Sequence, residues 1–144
     1  MKELSLGKIS IHIYGEDIAV KDLFINDESF QHYLRSSFKN EFSNGRFKEP
    51  FMLRLESKLS SLIENKKSSS NHLLYGCVDA CCDYIFVKIK FVNNKIIWDK
   101  IGRNTDYVHP KPTIKNKIQW LTNFKPIIFS KENYNQVMNQ IESK

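Results

Sequence analysis

Cys77, Cys81 and Cys82 lie close together in Gly76-Cys77-Val78-Asp79-Ala80-Cys81-Cys82-Asp83, with His72 before that turn and His109 after it. Thiolate and imidazole are the usual ligands of zinc, so a metal centre is the first chemistry these residue types suggest. Their spacing argues against it. The two-residue gap between cysteines is absent, no second pair follows, and adjacent cysteines on an extended chain point to opposite sides. A cysteine nucleophile with a histidine partner fits no better, because no local protease signature surrounds any of the three. Reduced cysteines filling small core positions beside a tight turn account for the stretch more simply. No metal and no cofactor is expected.

Nothing else in the chain points to a reaction. Walker, Rossmann and HExxH patterns are missing, five glycines form no phosphate cradle, and the carboxylates occur singly. His12 reads as a solvent-facing strand residue with no carboxylate pattern beside it. The expectation is a binding protein rather than an enzyme, and charge is the feature left to do the binding. The net charge is +6, and it is unevenly spread: residues 1–72 hold 11 basic and 10 acidic side chains, residues 73–144 hold 11 and 6. In that second half Lys88, Lys90, Lys95, Lys100, Arg103, Lys111, Lys115, Lys117 and Lys125 could form a positive surface attractive to phosphate or to an acidic protein. Lysines on the wet face of a sheet also discourage edge pairing, so charge alone does not choose the partner.

The element that must carry these lysines is a hairpin. Asn93-Asn94 stands between two runs rich in β-branched and aromatic residues, the signature of a two-residue type I′ loop. With that loop, Phe91 faces Ile96, Lys90 faces Ile97, Ile89 faces Trp98 and Lys88 faces Asp99. Ile85, Val87, Ile89, Phe91, Ile96 and Trp98 then share one face; Phe86, Lys88, Lys90, Asp99 and Ile101 share the other, with Lys88 and Asp99 as a cross-strand pair. The pattern predicts an antiparallel sheet with one buried face.

Around the hairpin, Lys8 to Tyr14 alternates as a strand, Gly15-Glu16-Asp17 turns, and Ile18 to Phe24 returns. Asn26-Asp27-Glu28 is placed to cap a helix bearing Phe30, Tyr33, Leu34, Phe38 and Phe42, which Ser43-Asn44-Gly45 ends. Pro50 can open a second helix with Met52, Leu55, Leu59, Leu62 and Ile63 as its stripe, although Phe51, Leu53 and Leu55 also alternate as a strand would. Residues 65–71 read as loop, as do residues 102–112. Residues 113–121 fit helix and strand equally. Ser130 caps a last helix with Tyr134, Val137, Met138 and Ile141 at helical spacing. The whole predicts a single α+β domain over residues 1–144: an antiparallel sheet with a central hairpin at about 82–101, packed against two or three helices including the C-terminal one. Three cysteines make no disulfide framework, no signal-peptide pattern opens the chain, and its apolar runs are too short to span a membrane, so the cytoplasm is the expected location.

Leu74-Tyr75-Gly76-Cys77, then Cys81-Cys82, a valine and isoleucine strand, Lys95-Ile96-Ile97-Trp98-Asp99, and Phe129-Ser130-Lys131 with Tyr134 on the closing helix resemble, in that order, a family of small bacterial immunity proteins. These proteins belong to polymorphic toxin systems, including contact-dependent growth inhibition. The resemblance covers the second half of the chain. It implies a protein that binds a cognate toxin domain in the cytoplasm and blocks its active site or the approach of its substrate. Lys88, Lys90, Arg103, Tyr107, His109 and Lys111 are the candidate contacts, chosen for charge and loop position. The alternative is a nucleic-acid-binding module that uses the same lysines on phosphate and Tyr84, Phe86, Tyr107 or Trp120 for stacking.

Overall fold

The computed structural model describes residues 1–42, 51–55, 69–77, 84–104 and 118–142. Two antiparallel sheets and a C-terminal helix account for most of them, an α+β fold dominated by strand. In the first sheet β1 (Leu4–Ile13) pairs with β2 (Glu16–Ile25), and β2 with the short β3 (Glu28–Ser29). Then come α1 (Phe30–Ser37) and α2 (Lys39–Phe42). The second sheet runs β4 (Phe51–Leu53), β5 (Ser69–Cys77), β6 (Tyr84–Val92), β7 (Lys95–Asn104) and β8 (Ile118–Trp120). β9 (Ile127–Ser130) pairs with β7 beyond β8, and α3 (Lys131–Glu142) closes the described chain. No helix among the described residues is long and apolar enough to cross a membrane.

The central hairpin forms around Asn93 and Asn94, whose φ of 51° and 60° suit a type I′ loop. Its register matches the expected one through Ile89 opposite Trp98, and then a bulge intervenes. Lys88 pairs with Lys100, Val87 with Ile101 and Ile85 with Arg103, so Asp99 is the extra residue. The bulge reverses the parity of everything after it. Ile101, expected on the wet face, is fully buried in the core, and Asp99 reaches Lys90 (3.3 Å) instead of Lys88.

Other expectations change for similarly local reasons. Asn26 and Asp27 do not cap a helix; with φ of 48° and 68° they turn β2 into β3, and Ser29 is the cap, its hydroxyl accepting from His32 N–H. The single helix predicted to Phe42 breaks at Phe38, where φ −128° and ψ 56° leave the helical region. The helix predicted from Pro50 is not what the described part shows: Phe51–Leu53 is a strand, adding to β5 with Phe51 opposite Cys77, and residues 56–68 lie outside the described residues. Ser69 to Asn71, read as loop, begin β5, and the strand after the hairpin runs on to Asn104. The turn after β1 is Tyr14-Gly15, one residue earlier than expected. The last helix stands as read, with Asn133 N–H bonded to Ser130 Oγ (3.1 Å) and Tyr134, Val137 and Met138 buried.

One core joins the two sheets. Leu4, Leu23, Phe30 and Leu34 pack against Ile85, Val87, Ile96, Trp98, Phe129 and Tyr134. The rings are arranged edge to face around Trp98, with Phe30 at 5.2 Å and Phe129 at 5.3 Å between centroids.

Candidate interaction face

The side of the second sheet turned away from this core carries the lysines. Lys88 and Lys90 alternate with Phe86 on β6, Lys100 stands directly across from Lys88, and Asn71 on β5 flanks Lys88 on its other side. Like charges directly opposite each other on one sheet face repel, and the repulsion is relieved when an anion binds between them. Among the described residues neither Lys88 nor Lys100 has an ion-pair partner, whereas Lys90 is neutralised by Asp99. The bulge is therefore what creates the cationic pair, because it moves the carboxylate of Asp99 a rung away from Lys88.

Beside the lysines the face becomes apolar. Tyr84 and Phe86 form a small cluster with Leu73 and Ile118, and Trp120 lies over Gly102. A Cβ at position 102 would meet Trp120 Cε3 at 2.7 Å and the Gln119 carbonyl at 2.9 Å, so only glycine lets β8 and its indole come this close. Towards the hairpin loop, Ile97 on β7 and Ile128 on β9 sit next to one another, the latter exposed.

Of the residues named from the sequence, Lys88 and Lys90 fall on this face together. Arg103 does not. Its register partner is the buried Ile85, and its guanidinium donates to the Glu41 carbonyl at the end of α2 and to Gln119 Oε1 (3.3 Å), tying a helix to the sheet's inner side. Tyr107, His109 and Lys111 lie outside the described residues, as do Cys81 and Cys82. Lys100, one of the basic residues of the second half of the chain, stands in the face where Arg103 was expected, brought there by a bulge that no local motif announces. Of the four stacking candidates, Tyr84 and Phe86 are buried, Tyr107 is outside the described residues, and Trp120 is half-buried.

Among the described residues no cluster of three or more histidine, cysteine or acidic side chains could hold a metal ion. His12 is the solvent-facing strand residue expected, and its Nδ1 lies 2.9 Å from Asp17 Oδ1 across the first hairpin, a carboxylate neighbour that the sequence pattern did not show, both side chains being exposed. His72 is placed differently. It lies on the inward phase of β5, opposite Val87, with its Nε2 2.7 Å from Ser70 Oγ, and burial pulls its pKa below the ordinary 6.5. The unfolded chain then binds the proton more tightly than the folded one, so stability is retained above pH 6.5 and declines as pH falls below it. Urea midpoints at about pH 7.5 and about pH 5.5 should show that decline in the parent protein and a smaller one in His72→Asn. Equal slopes would remove His72 from the acid response.

An open cleft of about 290 Å³ lies elsewhere, with Ile25, Phe30, Tyr33 and Ile127 as its apolar lining and Lys2 and Lys125 at its rim. Burial, and the Glu28 charge after it, raise the Tyr33 pKa there.

Comparison with protein-family models, curated proteins and solved structures finds no match to this chain.

Proposed function

We propose that this chain is an immunity protein: a stoichiometric inhibitor that binds an acidic surface of a cognate toxin domain through the outer face of its second sheet and occludes the active site or the path to it. The observation that carries the reading is the facing pair Lys88 and Lys100, unneutralised among the described residues and bordered by the half-buried Trp120 and Ile97. A cationic centre edged by apolar side chains is the composition of a protein-binding patch, in which charge steers encounter and apolar contact slows escape. The resemblance over the second half of the chain points the same way. An inhibitor of this kind needs a rigid scaffold and no catalytic group. The rival nucleic-acid reading is weakened by the burial of Tyr84 and Phe86, which leaves Trp120 as the described stacking surface.

The test is to identify the neighbouring reading frames and, where one encodes a large secreted protein, to co-express its C-terminal domain with this chain, scored by growth and then by binding of the purified pair. Lys88→Glu with Lys100→Glu should weaken binding by about a hundredfold, chiefly through slower association at low salt. Undiminished affinity would exclude this face. A salt-sensitive gel shift with nucleic acid, together with no rescue of growth, would favour the rival.

A further inference from the structure

Among the described residues the outer edge of β1 is occupied at one end only. Leu4 N–H donates to Asn133 Oδ1 (2.8 Å) and Leu4 C=O accepts from Asn133 Nδ2 (2.9 Å), so the side-chain amide of α3 satisfies that residue as a neighbouring strand would. Backbone groups on a strand alternate in direction, and the β1–β2 register is unbroken from Leu4 to Ile13. If Leu4 points outward, so do Leu6, Lys8, Ser10 and His12. Glu3 confirms the phase, since its carbonyl accepts from Asn26 N–H on the β2 side. Beyond the Asn133 clamp, no strand among the described residues pairs with this edge. A strand edge this long is a template for another strand.

We propose that the chain forms a symmetric homodimer in which β1 pairs antiparallel with β1 of a second copy, centred on Ser10. The two-fold axis permits few registers, and charge selects among them. Centring on Lys8 would set two lysines face to face. Centring on Ser10 sets Lys8 of each copy opposite His12 of the other, beside the exposed Asp17 that His12 already contacts. The ammonium then meets a carboxylate at both ends of the pairing. On the opposite side of the ribbon the same register places Ile9 across from Ile11 of the second copy, extending the apolar strip that Ile9, Ile11 and Val20 form in one chain. The result is a continuous sheet β2-β1-β1-β2, and it leaves the lysine face of the second sheet uninvolved.

Sedimentation of the full chain over a wide concentration range should show the 17.0 kDa monomer giving way to a species of twice that mass. Lys8→Glu and Asp17→Lys should each raise the dissociation constant about tenfold, since each contact occurs twice, and the two combined should restore it. Ser10→Pro removes an N–H that faces solvent in the monomer, a position where an edge strand tolerates proline, and should leave only monomer with an unchanged circular dichroism spectrum. Ser10→Cys should form a disulfide between position 10 of the two copies, because a hydrogen-bonded antiparallel pair holds its Cα atoms about 5.5 Å apart. Peptide mapping distinguishes that link from the native cysteines, and Lys21→Cys on β2 should not cross-link. A monomer at every concentration overturns the proposal. So does a dimer that ignores the charge swaps and yields no linked position 10.

Discussion

Replacing Asp22 by alanine should destabilise the protein by about 3–5 kcal/mol, measured as a fall in the urea midpoint. Asp22 is fully buried, and four donors converge on its two oxygens: Ser29 Oγ (2.6 Å), the Tyr75 hydroxyl, Leu23 N–H (2.8 Å) and Gln31 N–H (3.3 Å). These come from β2, the start of α1, and β5 of the other sheet, so one carboxyl group links both sheets and the helix between them. Truncation leaves the donors in a core that water does not reach, and an unsatisfied buried donor costs more than a satisfied one contributes. Tyr75→Phe removes one donor and leaves three, so its loss should be clearly smaller. Burial, and after it the charge and hydrogen bond of Asp22, hold the Tyr75 hydroxyl well above its ordinary pKa, which keeps it a donor. The double substitution should cost less than the sum of the two singles, because each removes the same bond. Simple additivity, or a loss under about 1 kcal/mol for Asp22→Ala, would show that the network is not what couples the sheets.

A loss of about 3–5 kcal/mol is likewise the expected result of Trp98→Ala. The indole has no solvent exposure and sits among Phe30, Phe129 and Tyr134, each in an edge-to-face arrangement or close to one. Three elements meet on it: α1 through Phe30, β9 through Phe129 and α3 through Tyr134. Alanine would leave a cavity that a core of interlocked rings cannot collapse to fill. Trp98 Nε1–H also donates to the buried Tyr134 hydroxyl (3.2 Å), whose pKa burial raises and this bond lowers in smaller measure. Trp98→Phe keeps a ring but loses that donor, and should fall between the parent and alanine. If phenylalanine were as damaging as alanine, the hydrogen bond rather than the volume would be the dominant contribution.

Both residues differ in how far the sequence announces them. Trp98 is legible, because a two-residue Asn-Asn loop sets the pairing near it and the alternation Ile96, Trp98 assigns it inward without any knowledge of the partner layers. The same local logic holds for β1 and β2, for Ser130 as a cap and for the stripe of α3. Asp22 carries no such signal. A lone aspartate in an alternating strand reads as a solvent-facing residue, and only the approach of Tyr75, distant in sequence, makes it the buried acceptor. The cationic face is intermediate: Lys88 and Lys90 follow from alternation, but Lys100 joins them and Ile101 leaves for the core through a bulge that no residue type dictates. The edge of β1 is similar, since Asn133, far along the chain, decides where the edge ends.

What the amino-acid order determined alone is what short-range physics controls: turn dihedrals, strand phase, helix caps and the sign of the charge on each half. Tertiary structure decided the rest, because a bulge, a break at Phe38 and a buried carboxyl group are set by energies summed over residues that only folding brings together.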